Sequence, residues 1–563
     1  MTFSNQPLEF EHVRRDESAL APWESCLVVT APLAGYGLFI AKALAGPVHV
    51  PWAMALLLCA VAATFLAWGL TSSDSRLLER LDRNATPIAL TLMALMAVGL
   101  IVTSVVQARC FAMSVYSEDT AYYSQILWNT LHGRFLAGNV TQGNLYDPPV
   151  STDLALHVSP IVISVLLPVY ALFPHFLTLL VLRDVALVAA AWPLFLLARE
   201  RMGGAAAVAA VVLYLGNPVV LAQGFESFSL LHLAPLPLFC AFRAFARHDF
   251  RQFLAWTAIA LGVREDLAIP LVGLGLWALV ERRGFRWIGA GLGVPIVWWG
   301  IVTLAIQPAF RGASKSVLDV LAAGSGGPFG VYRRVLADPS WILDSLQAGG
   351  GQLLYGLLRS VGFVPVLGPE GLVAAPSLAA TLFAVRTLHG AADPLSRFAL
   401  LPSCALVAAT IMIASRFVRR HRFGPHAFAF TLLLLFPLVN LLDGAKDAVQ
   451  SRLLEYIRGH DASALWEAVG HIPDGVSVAA PAAVLPALSK RPRLFTLQYL
   501  DRYPQPRADY VLVDRRFDRV WHNPARLQWY AALVEDLTRS PEYETVWKRE
   551  DYLLLRRRGE ATR

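Results

Sequence analysis

Two adjacent carboxylates open the segment best suited to chemistry. This segment, SEDTAYYSQILWNTLHGRFL over 117–136, begins with Ser117, Glu118 and Asp119. A serine at this place can cap a helix, and acidic residues in the first turn suit the positive end of a helix. Gly133 is a typical helix stop. We therefore predict a helix over 117–132 that presents candidate catalytic carboxylates at its start.

The same helix would carry two kinds of side chain. Gln125, Asn129 and His132 fall on one face at helical spacing, while Tyr122 and its neighbours form an aromatic band typical of a membrane interface. Two interpretations stay open. The segment is either a capped interfacial helix without chemistry, or it points Asp119 into a cavity at the membrane surface, with Tyr122 and Gln125 contacting a substrate.

Composition indicates a membrane protein. The chain has 563 residues, of which 56% are hydrophobic and 16% charged, whereas a soluble chain carries about 25% charged residues. The net charge of +7 is therefore taken to reflect Lys and Arg residues in the loops, which set the orientation of a membrane protein. Nucleic acid is not an expected partner. The five cysteines are scattered without paired spacing, which argues against a disulfide framework and a zinc site. The mixed-charge N-terminus does not indicate a cleaved signal peptide.

Long apolar runs predict an α-helical polytopic bundle of about 12 spans within residues 25–444. The predicted spans are 25–44, 51–70, 86–107, 177–198, 204–221, 229–246, the hairpin 253–280, 287–306, 353–368, 371–385, 397–414 and 426–442. The short run 160–173 is interpreted as interfacial or re-entrant. Placing every arginine cluster inside makes segment 1–24 cytoplasmic and puts loops 108–157 and 307–352 outside.

The composition changes to that of a soluble domain at about residue 445. Four short strand patterns, VSVAAP, RLFTLQ, YVLVD and YLLLRR, alternate with helical patterns at 446–470 and 523–539. We expect a small extracytoplasmic α/β domain over 445–563. Two other motifs are given structural readings: GAGLG at 289–293 is expected to serve helix packing, and the NVT sequon at Asn139 matters only in a compartment that glycosylates.

Ionisable residues beside membrane spans are costly, and several groups of them share the outer side in this topology. They are Glu118, Asp119, His157, Glu226, His232, Arg264, Glu265 and Asp266, with His389, Asp393 and Arg397 as a further group. We interpret them as lining one polar cavity. Structural roles stay open for some: Arg264 and Asp266 can pair with each other, His232 can cap a helix, and His157 can fix a turn.

Transfer from a lipid-phosphate donor fits this set of side chains. A carboxylate such as Asp119 can accept the proton of an acceptor hydroxyl as it attacks an activated carbon. An arginine such as Arg264 can neutralise a phosphate leaving group. Apolar grooves between helices would hold a polyprenyl tail. No cofactor is indicated, and the involvement of a divalent metal ion stays open.

The order of several motifs resembles a known family. EDTAYY, LALHVSPIV, FESFSLLHLAP, VREDLAIP and VSVAAPAAVLPALSKRPRLF together resemble a large uncharacterised bacterial membrane-protein family within the GT-C glycosyltransferases, over roughly 100–520. The protein mannosyltransferase and aminoarabinose transferase branch is the most similar part of that superfamily. The resemblance implies that Asp119 is the GT-C catalytic carboxylate. This chain departs from the family in having Glu-Asp rather than Asp-Glu, and Arg264 in place of a lysine.

Three functions follow as competing hypotheses. The first is a glycosyltransferase that uses a polyprenyl-phosphate-linked sugar and an unidentified acceptor on the outer face of the bacterial cytoplasmic membrane. The second is a transporter or lipid flippase, which would need polar residues in both leaflets and an internal repeat. The third is a non-catalytic envelope scaffold.

Overall fold

The structure is a computed structural model, and it describes residues 76–111, 117–140, 150–311, 337–338, 340–385, 393–420, 462–497, 508–515 and 524–559. The segment 1–24, the predicted spans 25–44, 51–70 and 426–442, the residue His389 and the boundary near 445 lie outside these ranges. The described part is mainly helical, with a small sheet near the C-terminus.

Helices make up the first part of the described chain. In chain order they are α1 Arg76–Arg83, α2 Ala85–Cys110, α3 Ser117–Leu131, α4 Thr152–Leu156, α5 Val162–Leu172, α6 Phe176–Ala189, α7 Ala191–Met202, α8 Gly204–Leu215, α9 Pro218–Gln223, α10 Pro235–Ala246, α11 Phe250–Val263, α12 Ala268–Val280, α13 Phe285–Phe310, α14 Ser340–Ser345, α15 Gly351–Ser360, α16 Ala375–Ala384 and α17 Leu400–Arg420. Short 3₁₀ turns at Leu230–Leu233, Glu265–Leu267 and Arg397–Ala399 join some of them.

Four helical stretches within the described ranges are long and apolar enough to cross a membrane. They are Ala85–Cys110, Phe176–Met202, Phe285–Phe310 and Arg397–Val418. The first exposes large apolar side chains such as Leu95, which is 67% exposed, whereas the last is almost wholly covered by other helices. Within the described ranges, helices with exposed apolar faces therefore accompany one that is enclosed by protein.

The predicted span 353–368 is wrong as a continuous helix. The structure breaks it after Ser360, Phe363 has a left-handed φ of 57°, and the chain continues as a short 3₁₀ turn, Val364–Leu367. The predicted span 371–385 begins in a 3₁₀ turn, Pro369–Ala374, that runs directly into α16. Gly and Pro residues in the first run explain its break, because they interrupt helix geometry.

The hairpin predicted over 253–280 is present. Helices α11 and α12 pack beside α10 and are joined by a tip that begins at Arg264. The predicted packing role of GAGLG is also confirmed. A Cβ placed on Gly291 would lie 2.6 Å from the Cα atom of Gly275 in α12, so the absence of a side chain permits the close approach of the two helices.

Arginines gather at one end of these helices. Arg201 donates to the Ala246 carbonyl at 2.6 Å, and Arg243 donates through Nε to Glu200 at 3.1 Å. We call Arg199, Arg201, Arg243, Arg247 and Arg283 the arginine belt. Its members lie at or just after the ends of α7, α10 and α12. The tip at Arg264 lies at the opposite ends of α11 and α12, about 20 Å away along a 14-residue helix.

The C-terminal part is a small α/β domain. Its helices are α18 Ala462–Gly470 and α19 Pro524–Arg539. After β1 Ala137–Gly138 and β2 Val150–Ser151, the remaining strands are β3 Val478–Ala480, β4 Leu494–Thr496, β5 Tyr510–Asp514, β6 Tyr543–Arg549 and β7 Tyr552–Arg557. They form one sheet in the order β4-β3-β5-β7-β6. The four predicted strands are present, and β6 is an edge strand that the sequence patterns missed because its side chains are largely exposed.

Candidate functional site

Helix α3 follows the prediction closely. It spans Ser117–Leu131, and Gly133 has a φ of +80°, which suits a helix stop at glycine. The aromatic band is placed differently from the prediction, because Tyr122 and Tyr123 are 3% and 4% exposed. They pack under other protein elements rather than in a membrane interface. Their rings contact each other at 4.9 Å, and Tyr123 also contacts Phe228 at 5.3 Å.

Asp119 forms an ion pair with Arg397. Asp119 lies in the first turn of α3, while Arg397 opens the 3₁₀ turn that leads into α17. The two side chains are 23% and 18% exposed, so this pair is covered but still reachable from outside the protein. The sequence placed Arg397 in a further outer group without assigning it a partner, because residues 278 positions apart in the chain leave no local spacing signal.

The tip between α11 and α12 carries a second polar cluster. The Nε atom of Arg264 donates to Oδ1 of Asp266 at 2.9 Å, and a second guanidinium nitrogen bonds to Oδ2. The structural reading that these two residues pair is therefore confirmed. Burial by itself would lower the pKa of the Arg264 guanidinium, but the Asp266 carboxylate raises that pKa above its ordinary value.

Glu265 joins three separate segments. Its carboxylate contacts Nδ1 of His157 at 2.9 Å, and it accepts from the Gln307 side chain at 3.2 Å and the Val158 amide at 3.3 Å. Burial favours the neutral carboxyl, yet the neighbouring His157 holds the pKa of Glu265 below its usual value. His157 thus does more than fix a turn, because it ties the loop before α5 to the hairpin tip.

His232 has the structural role that the sequence left open. Ser229 and His232 form a reciprocal capping box at the turn Leu230–Leu233, in which Nδ1 of His232 accepts from the Ser229 amide at 3.0 Å. Its Nε2 lies 3.2 Å from Oε1 of Gln223. These contacts use both ring nitrogens inside the protein, and the side chain is fully buried. His232 therefore shapes the loop that contains Glu226.

The loop 224–228 is fixed from two sides. The Phe228 amide donates to Oγ1 of Thr120 in α3 at 2.8 Å. From the other side, the buried Arg183 of α6 donates to the carbonyls of Gly224 and Glu226. Arg183 also pairs with Asp184. The sequence analysis missed this pair, although a charged dipeptide within an apolar run was a visible signal.

Gln125 and its surroundings face the C-terminal domain. Its Nε2 donates to Oδ1 of Asn139 at 2.8 Å and to the Pro492 carbonyl at 3.2 Å, and Asn139 also accepts from the Leu494 amide at 3.0 Å. Gln125 thus joins α3 to the C-terminal domain, and its predicted substrate contact stays a prediction. Both Gln125 and Asn139 are fully buried.

The predicted residues therefore separate into groups. Asp119 with Arg397, and His157 with Glu265, Arg264 and Asp266, form two polar clusters beside α3, whereas His232, Glu226 and Gln125 lie in the packing around it. Tyr123 of α3 lies near enough to Arg264 to influence the pKa of its guanidinium, which places the hairpin tip close to α3. Within the described ranges, there is no group of three or more His, Cys, Asp and Glu residues that could hold a metal ion.

The sequence matches a known family over most of its length. The family is described as "Predicted membrane protein (DUF2079)", and the match covers residues 111–554. The chain belongs to this family. The expectation of a family of membrane proteins, made from the order of several motifs, is therefore confirmed. None of the curated proteins matches the chain.

The solved structures that are similar to this chain include two of one enzyme. One is ArnT from Cupriavidus metallidurans bound to undecaprenyl phosphate, with 12% identity and a TM-score of 0.43, covering 83% of this chain and 97% of that one. The other is the same enzyme in the apo state, with 13% identity and a TM-score of 0.41, covering 81% and 97%.

Proposed function

We propose that the chain is a GT-C-type membrane glycosyltransferase. It would transfer a sugar from a polyprenyl-phosphate donor to an acceptor on the outer face of the bacterial cytoplasmic membrane. One observation carries the proposal. At the start of a helix beside the membrane spans, the Asp119 carboxylate is paired with Arg397, and both side chains are partly exposed. In this proposal Asp119 is the base and Arg397 the phosphate-binding cation, and both lie where a lipid-linked substrate can reach them.

The chemistry needs one base and at least one cation. The acceptor hydroxyl attacks the anomeric carbon of the donor, and the bond from that carbon to the phosphate oxygen breaks. Asp119 accepts the hydroxyl proton, and the bond electrons leave on the polyprenyl phosphate. Arg397 and Arg264 are the cations available to neutralise that leaving group, because a guanidinium matches phosphate oxygens.

The resting pair sets the order of events. A carboxylate held by a guanidinium is a weak base, since its negative charge is already compensated. When a donor phosphate binds Arg397, that compensation moves to the phosphate and Asp119 becomes free to accept a proton. Glu118, the adjacent carboxylate in the same turn, contributes negative charge beside Asp119 in this scheme. His157 and Glu265 fix the tip that presents Arg264.

The arginine belt supports the proposed orientation. Positive residues are retained on the cytoplasmic side, and the belt lies at the helix ends opposite the Arg264 tip. On this basis we propose that Asp119, Arg397 and the C-terminal domain lie on the outer side, with the N-terminus inside. Lipid-linked donors are anchored in the bilayer, so the partly exposed pair would meet the head group at the membrane surface.

The test is a transfer assay on purified protein. Native mass spectrometry is expected to find a co-purified polyprenyl phosphate, and a labelled polyprenyl-phosphate sugar is expected to give a covalent product. Asp119→Asn should lower the rate by about 10²–10⁴-fold, as for other general bases. Asp249→Asn is a matched control, because Asp249 caps α11 at the belt end and asparagine caps equally well. Full activity of Asp119→Asn, or substrate uptake without covalent product, would overturn the proposal.

A further inference from the structure

We infer that the C-terminal domain is a positioning element for α3, and that Asn139 is the residue through which it acts. The contacts that carry this inference are structural, while its effect on catalysis rests on the proposed function. In this arrangement Asn139 touches no reacting atom. It holds the helix that carries Asp119.

Asn139 joins three pieces of chain. Its Oδ1 atom accepts from Gln125 of α3 at 2.8 Å and from the Leu494 amide of β4 at 3.0 Å. Its backbone amide donates to Oε1 of Gln125 at 3.1 Å. One side chain thus connects α3, the outer loop after β1 and the edge strand of the C-terminal sheet. Because Asn139 and Gln125 are fully buried, water cannot replace these bonds when one partner is removed.

A chain of hydroxyls makes a second connection one residue away on α3. Ser489 lies 2.7 Å from Ser124, and Ser124 lies 2.8 Å from the Tyr170 hydroxyl of α5. All three side chains are buried. The hydroxyl chain therefore runs from the C-terminal domain through α3 into the helical part of the protein.

Apolar packing supports the same joint. Leu485 and Leu488 of the C-terminal domain are fully buried in one cluster with Ile126 and Leu127 of α3. The other face of the sheet has a separate core with α19, which includes Val511. The C-terminal domain therefore inserts one short turn, Leu485–Leu488, into the core of the helical part.

The geometry explains how docking reaches the candidate site. Gln125 lies six residues after Asp119 on the same helix, a rise of about 9 Å. A rigid helix transmits a change at one point along its length, and a small misplacement of a reacting group can cost about 10²-fold in rate. Loosening the joint at Gln125 would therefore displace the Asp119 carboxylate relative to Arg397.

The first experiment compares two asparagines in the full-length protein. Asn139→Ala should increase amide hydrogen exchange over 117–125 and lower turnover by roughly tenfold, with little change in KM for the donor. Asn129→Ala is the matched control, because Asn129 is equally buried in α3 and, among the residues that the structure describes, its side chain bonds to Ala137 and Arg134 rather than to the C-terminal domain. It should leave exchange over 117–125 unchanged.

The second experiment is a rescue. Ser124→Cys with Ser489→Cys should form a disulfide, since the two hydroxyl oxygens are 2.7 Å apart, and peptide mass spectrometry identifies the cross-link. In the Asn139→Ala background, the disulfide should restore exchange protection over 117–125. If Asn139→Ala does not fold, Thr496→Val is the substitute, because its hydroxyl bonds to the Val140 carbonyl at 3.3 Å across the same joint. It should show the same change at smaller size.

The outcomes separate the two proposals. Unchanged exchange over 117–125 in Asn139→Ala, or a formed disulfide that leaves this segment loose, overturns the positioning role. If exchange behaves as expected and no sugar is transferred by the unaltered protein, the proposed function fails while the positioning role stands.

Discussion

Two aspartate–arginine pairs in this protein differ in what surrounds them. Arg183 and Asp184 are fully buried, and the Arg183 guanidinium also bonds to Ser104 at 2.7 Å and to the Gly224 carbonyl at 2.8 Å. Ser104 in turn donates to Asp184 at 2.5 Å. The pair of Asp119 and Arg397 is partly exposed. The first pair is enclosed by fixed protein partners, whereas the second can be reached from outside the protein.

The surroundings of a charged pair indicate whether the pair serves folding or turnover. Charges enclosed by fixed partners are costly to disturb and have no access to substrate. A partly exposed pair contributes less to stability than an enclosed one, because solvent screens it in part. We therefore expect substitutions in the first pair to change folding, and substitutions in the second to change turnover.

The largest effect is expected at Arg183. Arg183→Leu leaves Asp184 as an uncompensated buried charge and should cost about 3–5 kcal/mol of stability, measured as thermal unfolding in detergent. Replacing both residues with leucine should cost less than the single change. A single variant as stable as the unaltered protein would contradict the enclosed-pair interpretation.

Arg397 should show the opposite pattern. Arg397→Gln is expected to change stability by about 1 kcal/mol or less, while transfer falls by roughly 10²-fold because one cation at the leaving group is lost. Unfolding and initial rates are measured on the same preparation. A large loss of stability with normal transfer per folded molecule would mean that Arg397 serves folding rather than turnover.

A smaller loss of transfer is expected for substitutions at Arg264 than at Arg397. Its fork is already bidentate on Asp266, so lysine keeps the charge but loses that geometry. Arg264→Lys should cost about 2 kcal/mol in the transition state, at the low end for one charged contact, with the fold retained. If both Arg264→Lys and Arg264→Ala transfer normally, the arginine serves only the pair with Asp266.

The smallest effect is expected at an exposed pair in the C-terminal domain. Trp547 and Arg549 hold the pKa of Glu467 below its ordinary value. A carboxyl whose pKa is lowered by folding stabilises the protein above its unfolded pKa, and this contribution disappears as the pH falls through the folded value. Glu467→Gln should therefore lower the unfolding midpoint slightly at pH 7 and by less at pH 3. An equal difference at both values would exclude the charge as its origin.

The sequence predicted local features better than distant contacts. The start and end of α3, the hairpin around Arg264 and four of the strands follow from capping, periodicity and turn residues. The pairing of Asp119 with Arg397 and the bond between Gln125 and Asn139 depend on tertiary packing. No periodicity encodes such contacts, so the partners could be suspected only as members of one outer group.

Burial changed the interpretation of several polar residues. Gln125 and His232 have side chains that commonly bind ligands, yet their partners are other protein groups. The break within 353–368 was also hard to predict, because the hydropathy of this run is that of a span while Gly and Pro set the backbone. Hydropathy reports how apolar a run is and does not report whether the run is one helix.

Because Asn139 is buried, glycosylation at its sequon would report whether the C-terminal domain had already docked. An N-linked glycan is larger than any space beside a fully buried asparagine, so a glycosylated chain and a docked C-terminal domain exclude each other. If the protein were produced in a secretory compartment that glycosylates, the host's N-glycosylation enzyme could modify Asn139 only before the C-terminal domain docks. The glycosylated fraction would then equal the fraction of chains modified before docking. The glycosylated fraction would therefore depend on how fast the Asn139 side chain is modified relative to how fast the C-terminal domain is synthesised and docks.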